Sequence, residues 1–103
     1  MSVAHITKDT FDKAVMGANT PVLLDFWSPR CGPCRMLNPV VEELSEEHKD
    51  IAVCKVNVDE EPELASRFSV SSIPTLVLML DGKAHTTLVG YHAKADIEQI
   101  LPH

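Results

Sequence analysis

The stretch Trp27-Ser28-Pro29-Arg30-Cys31-Gly32-Pro33-Cys34-Arg35 decides how this chain is read. Two cysteines flank a Gly-Pro pair. Directly before them runs the apolar, strand-favouring segment Val22-Leu23-Leu24-Asp25-Phe26-Trp27. Directly after them Leu37, Val40, Val41, Leu44 and His48 recur at helical spacing. The Cys-Gly-Pro-Cys therefore lies where a strand hands over to a helix. That placement points to thiol–disulfide exchange, which needs a thiolate nucleophile and a second thiol near enough to resolve the mixed disulfide. Residues i and i+3 share a helix face, so the two sulfurs fall one turn apart. At the helix start, unpaired N–H groups and the helix dipole favour a negative sulfur on Cys31. Cys34, one turn inside, has less of this help and is expected to be more buried. Cys31 is thus expected to attack and Cys34 to resolve. Pro33 suits the first turn, where its missing N–H is not needed. Gly32 leaves room for the incoming disulfide.

Outward from this stretch, residues 3–6 read as a short first strand. Thr7 is a good helix cap, and Asp9 falls in the first turn, where a negative charge suits the dipole. Phe11, Ala14, Val15 and Ala18 then predict a helix over about 8–18, broken by Asn19-Thr20-Pro21. The apolar run 21–27 suits a strand covered on both faces. Asp25 is its exception, a carboxylate that is either buried or turned outward on a bulge. In the helix over 31–48, Pro39 removes a hydrogen bond, at a cost of about 3 kcal/mol in isolation. Either the helix kinks there, or it stops near Asn38, which caps a second helix. The unbroken apolar stripe favours the kink. Residues 51–58 alternate as a strand, with Lys55 on the mixed face. A short helix is expected over 59–68 and a loop over 69–74. Strands over 75–80 and 83–89 are joined by the hairpin signal Asp81-Gly82. Gly90 ends the last strand, and a final helix over about 94–101 starts at the weak cap Ala93. Strand–helix–strand order implies parallel strands. The expectation is an α/β fold: a mixed sheet of four to five strands, with about four helices on both faces.

The 103 residues make one domain, spanning 1–103, with room for a modest core. The net charge is −6, with no basic cluster to attract nucleic acid or anionic lipid. No apolar stretch approaches the roughly 20 residues that span a bilayer. The N-terminus lacks the basic-then-apolar pattern of a signal peptide, so a cytoplasmic location is expected. Three cysteines in a reducing compartment are not a structural framework. The competing reading of Cys31 and Cys34 is half a zinc site. Such a site needs four ligands, and Cys54 and the five histidines complete no recognisable spacing, so no metal is expected. Cys54 reads as a small buried hydrophobe.

Over its whole length the chain resembles the thioredoxin family. The resemblance rests on Asp25-Phe26-Trp27, Cys31-Gly32-Pro33-Cys34, Pro39, Lys55-Val56-Asn57-Val58-Asp59, Ile73-Pro74-Thr75, Asp81-Gly82 and Gly90. It implies a thioredoxin fold and a protein-disulfide reductase with no bound cofactor. Its substrates would be disulfide-containing proteins, and a thioredoxin reductase, NADPH- or ferredoxin-dependent, would re-reduce a monomer. It implies that Asp25 is a buried acid accepting the Cys34 proton and that the Lys55 ammonium approaches that acid. It further implies that Pro74 is a cis-proline opposite the cysteines and that the backbone of Ile73 pairs with substrate. Trp27, Gly82, Gly90 and Ser71-Ser72-Ile73 would form an apolar rim for the partner, although Trp27 also reads as plain core. The chain departs from the family at Pro29-Arg30, where Trp usually precedes the first cysteine. The fixed charge of Arg30 is expected to stabilise the Cys31 thiolate and to shift partner preference. Two other functions fit the same fold: a disulfide oxidase or isomerase, and a redox-inert binding module. Pro33 argues against the first. Both cysteines and Asp25 argue against the second.

Overall fold

The computed structural model describes residues 3–102; Met1, Ser2 and His103, at the ends of the expected domain, lie outside the described residues. In chain order the elements are β1 (Val3–His5), α1 (Lys8–Phe11) continuing as a π-helical turn (Asp12–Met16), β2 (Val22–Trp27), α2 (Gly32–Glu47), β3 (Ala52–Asn57), α3 (Pro62–Arg67), β4 (Thr75–Leu80), β5 (Lys83–Val89) and α4 (Lys94–Ile100). They build the thioredoxin fold implied by the sequence. The five strands form one mixed sheet in the order β1-β3-β2-β4-β5. Strand β3 is parallel to both β1 and β2, whereas β4 is antiparallel to β2 and β5.

The apolar character of β2 follows from its central place. Side chains alternate across a strand. Val22, Leu24 and Phe26 enter a core shared with Phe11, Val15 and Leu64 of the α1 and α3 layer. Leu23 enters the opposite core, with Leu37, Val41 and Leu44 of α2 and Ile97 of α4. Asp25 shares the α2 side with Leu23. The ladder runs in register through it, from Val22↔Ala52 to Trp27↔Asn57, so no bulge turns the carboxylate outward.

Helix α2 passes through Pro39 as one element, and the alternative of a stop at Asn38 does not form. Leu37, Val41 and Leu44 are fully buried. Each contributes about 1.5–3 kcal/mol, which together offsets the roughly 3 kcal/mol that proline costs. Two expected helices differ from what forms. Over 8–18, only the first turn is α-helical. Beyond it the Gly17 N–H donates to the Asp12 carbonyl at 2.8 Å, closing a wider π turn. Phe11 and Val15, four apart, stay buried on one face under either winding. The helix expected over 59–68 begins only at Pro62. Proline disfavours helical backbone at the residue before it, and Glu61 sits at φ −124° and ψ 62°.

Candidate active site

The helix entry point is built by the end of β2. The Trp27 carbonyl accepts the Val58 N–H at 2.9 Å, and the Cys31 N–H donates to the Ser28 carbonyl at 3.1 Å. Cys31 then takes the N-cap position of α2 with extended backbone, and Pro33 lies in the first turn. Cys31 and Cys34 are joined by a disulfide, their Cα atoms 5.2 Å apart. The Cys34 N–H donates to Cys31 Sγ at 3.2 Å, the donor arrangement that favours negative charge on that sulfur. Cys31 is half-buried, Cys34 is 1 % exposed, and Gly32 and Pro33 are exposed between them. One sulfur can therefore be met by a partner and the other cannot.

Opposite the pair, the Ile73–Pro74 peptide is cis, and the Ile73 carbonyl oxygen lies 3.7 Å from Cys31 Sγ. The Gly90 N–H donates to the Pro74 carbonyl at 2.7 Å. Gly90 has φ +88°, a left-handed conformation suited to glycine. Ile73, Pro74 and Gly90 are thus brought together beside Cys31. Gly82 is not: it sits at the β4–β5 turn against Met16, at the far end of six-residue β4 from Pro74. That length, at about 3.4 Å per residue, removes it from the rim assigned to it above.

Beneath α2, Asp25 is 1 % exposed and neither carboxylate oxygen has a hydrogen-bond partner. Burial is the main cause that lifts its pKa to about 6, and the charge of Lys55 partly offsets the rise. Lys55 is the β3 residue paired with Asp25 in register. Its ammonium nevertheless turns to Asn38, donating to Oδ1 at 2.5 Å, and lies 4.6 Å from the centroid of the Trp27 ring. Trp27 is half-buried, with His5 edge-on to its ring at 6.5 Å. It borders Lys55 as well as filling space, so neither rim nor core alone describes it.

Arg30 is tethered to the turn that follows β3. Its guanidinium donates to Asp59 Oδ1 at 3.3 Å, and Ser28 Oγ donates to Asp59 Oδ2 at 2.8 Å. Ser28 first, and then Arg30, hold the Asp59 carboxyl below its usual range. The Arg30 side chain is still 83 % exposed. Cys54 is free and buried, and burial pushes its thiol up to about 11, which suits an inert core residue. Sequence reasoning missed the contact of Asn38 with Lys55, and Ser28 with Asp59. The one available signal for Asn38 was its spacing, four residues beyond Cys34 and so on the same helix face.

A dithiol that closes on itself at the head of a helix, with a single accessible sulfur, is the working part of a thiol–disulfide oxidoreductase. The thioredoxin family model matches residues 2–103, and the chain belongs to that family. It is 46 % identical over 103 residues to "Thioredoxin 1" of Synechococcus elongatus, covering 98 % of this chain and 96 % of that protein. It is 48 % identical over 97 residues to "Thioredoxin" of Alicyclobacillus acidocaldarius, covering 93 % and 91 %. It is 45 % identical over 97 residues to "Thioredoxin M-type, chloroplastic" of Chlamydomonas reinhardtii, covering 93 % and 69 %. The protein is accordingly a protein-disulfide reductase whose redox group is its own Cys31–Cys34 pair. Its counterparts are disulfide-bearing proteins and a reductase. The oxidase, isomerase and binding-module readings are not favoured.

Proposed function

We propose that Cys31 attacks and Cys34 resolves. The Cys31 thiolate bonds to one sulfur of a substrate disulfide, and the other substrate sulfur leaves as a thiolate. Cys34 then gives its proton to Asp25 and attacks Cys31 Sγ. The Cys31–Cys34 bond forms and the second substrate thiolate departs, so two electrons have passed to the substrate. The supporting observation is the asymmetry of the pair: Cys31 is half-exposed and receives the Cys34 N–H, whereas Cys34 is buried.

Around this pair, Gly32 and Pro33 shape the exposed turn, and Lys55 tunes Asp25. Arg30 supports the attacking sulfur by its charge. The cis-Pro74 loop presents Ile73 to the substrate backbone, with Gly90 and Trp27 beside it. The protein works as a single-domain monomer in the cytoplasm, carrying electrons from an NADPH- or ferredoxin-dependent reductase. Among the described residues no helix is long and apolar enough to cross a membrane.

Turnover of insulin disulfides, driven in parallel by each type of reductase, tests this assignment. Wild type is expected to turn over with one of them. Cys34→Ser is expected to stall as a mixed disulfide through Cys31, detected by mass spectrometry. A Cys34→Ser variant that turns over like wild type would sink the assignment.

A further inference from the structure

Asp25 and Lys55 are direct partners in a parallel ladder, so their side chains share one face of the sheet. A buried carboxylate with two unpaired oxygens is the strongest acceptor an ammonium on that face could find. Yet the Lys55 ammonium makes no ion pair with it among the described residues, and both Asp25 oxygens stay unpartnered. The ammonium is instead held between the Asn38 carboxamide oxygen at 2.5 Å and the Trp27 ring at 4.6 Å. Asn38 is half-buried on the face of α2 that lies over β2 and β3. It is neutral, so it holds the cation by hydrogen bonding and adds no charge of its own.

We infer that Asn38 is a positioning residue for the exchange reaction: it holds the Lys55 ammonium out of hydrogen-bonding reach of Asp25 and so leaves the carboxylate free to take a proton. The inference rests on the assignment of Asp25 as proton acceptor made above. In the resolving step the proton leaves Cys34 Sγ for an Asp25 oxygen. At the same time Cys34 Sγ bonds to Cys31 Sγ, and the electron pair of the Cys31–substrate bond leaves with the substrate sulfur. A base is most effective with its pKa near the working pH. An ammonium hydrogen-bonded to Asp25 would hold it ionised and make it a poorer acceptor. Placed at Asn38, the same cation lowers the carboxyl from where burial alone would set it without pairing with it. The other ionisable groups on elements around Asp25 face elsewhere or are bonded: Arg35, Glu42, Glu43, Glu46 and Glu47 of α2 are exposed, Cys54 of β3 lies in the opposite core, His5 of β1 faces the Trp27 ring, and Cys31 and Cys34 are joined in the disulfide. The β4 partner of Asp25 is apolar Leu76.

The test is a carbon-13 NMR titration of the Asp25 carboxyl in the oxidised protein. Wild type is expected to titrate near 6. In Asn38→Ala the midpoint is expected to fall by about one pH unit as Lys55 swings to Asp25. In Asn38→Ala with Lys55→Gln that fall is expected to disappear. Asn38→Leu, which keeps the bulk and lacks the acceptor, replaces Asn38→Ala if the latter does not fold by circular dichroism. A midpoint that stays in place or rises, or a fall that persists without Lys55, overturns the inference. The pH dependence of mixed-disulfide resolution is measured on the same variants and is expected to follow the carboxyl midpoint. If the carboxyl midpoint falls while the resolution profile stays put, the placement of Lys55 by Asn38 stands and the proton-acceptor role of Asp25 falls.

Discussion

At the scale of single residues, Asp25 carries an energetic penalty that the proton-acceptor role proposed for it would explain. Its folded pKa of about 6 lies above the ordinary 3.8. A raised acid favours folding fully below its unfolded pKa and loses that contribution as pH rises through the folded one. The two values differ by about 2 pH units, worth at most about 3 kcal/mol. Asp25→Asn should therefore stabilise the oxidised protein at about pH 8 and have little effect at about pH 4. Urea denaturation at both values checks this; equal effects at both would refute it. Arg30 is a smaller matter. It is exposed and already paired with Asp59, so solvent and that carboxylate screen its effect on Cys31. Arg30→Trp should raise the Cys31 pKa by less than about one pH unit, read as thiolate absorbance in the reduced protein. An unchanged or lower pKa would refute a role for the charge. The peculiarity of Asp25 was legible because a lone carboxylate interrupts an apolar run. The grip of Asn38 on Lys55 was not, because it depends on how α2 lies over β3, which no local pattern encodes.

At the scale of elements, what could be read from the sequence depended on how local the deciding interaction is. The Asp81-Gly82 hairpin was legible because the turn needs left-handed backbone, and both residues adopt it, at φ 52° and 76°. Gly82→Ala should destabilise the protein by about 1 kcal/mol. Its Cβ would lie 3.5 Å from Met16 Cε, an ordinary contact, so the cost is backbone strain. Thermal denaturation checks this, and an unchanged melting temperature would contradict it. The π turn after α1 was not legible, because a four-residue apolar spacing serves both windings. The late start of α3 was legible in principle. Pro62 marks the first helical turn, but the acidic residues before it extended the expected helix too far. The path of α2 through Pro39 was decided by burial, which the apolar stripe did encode.

At the scale of the whole molecule, one sheet separates two apolar cores, with α1 and α3 on one side and α2 and α4 on the other. The site lies at the carboxyl ends of the parallel strands β2 and β3, where the chain leaves the sheet for α2 and for the turn containing Asp59. Alternating strand and helix signals made this layout legible. The sheet order was not, because β3 must cross to the far side of β2 before β4 returns beside it. The central place of β2 sets a timescale as well as a geometry. Its backbone is bonded to a neighbour on each side and covered by a core on each face, so these amides are expected to open only when the whole domain opens. Their deuterium uptake reports the global stability of the fold, whichever redox state the cysteines hold. Asp25 is thus anchored in the strand expected to exchange slowest, while the Cys31 sulfur lies half-exposed at the edge of that frame.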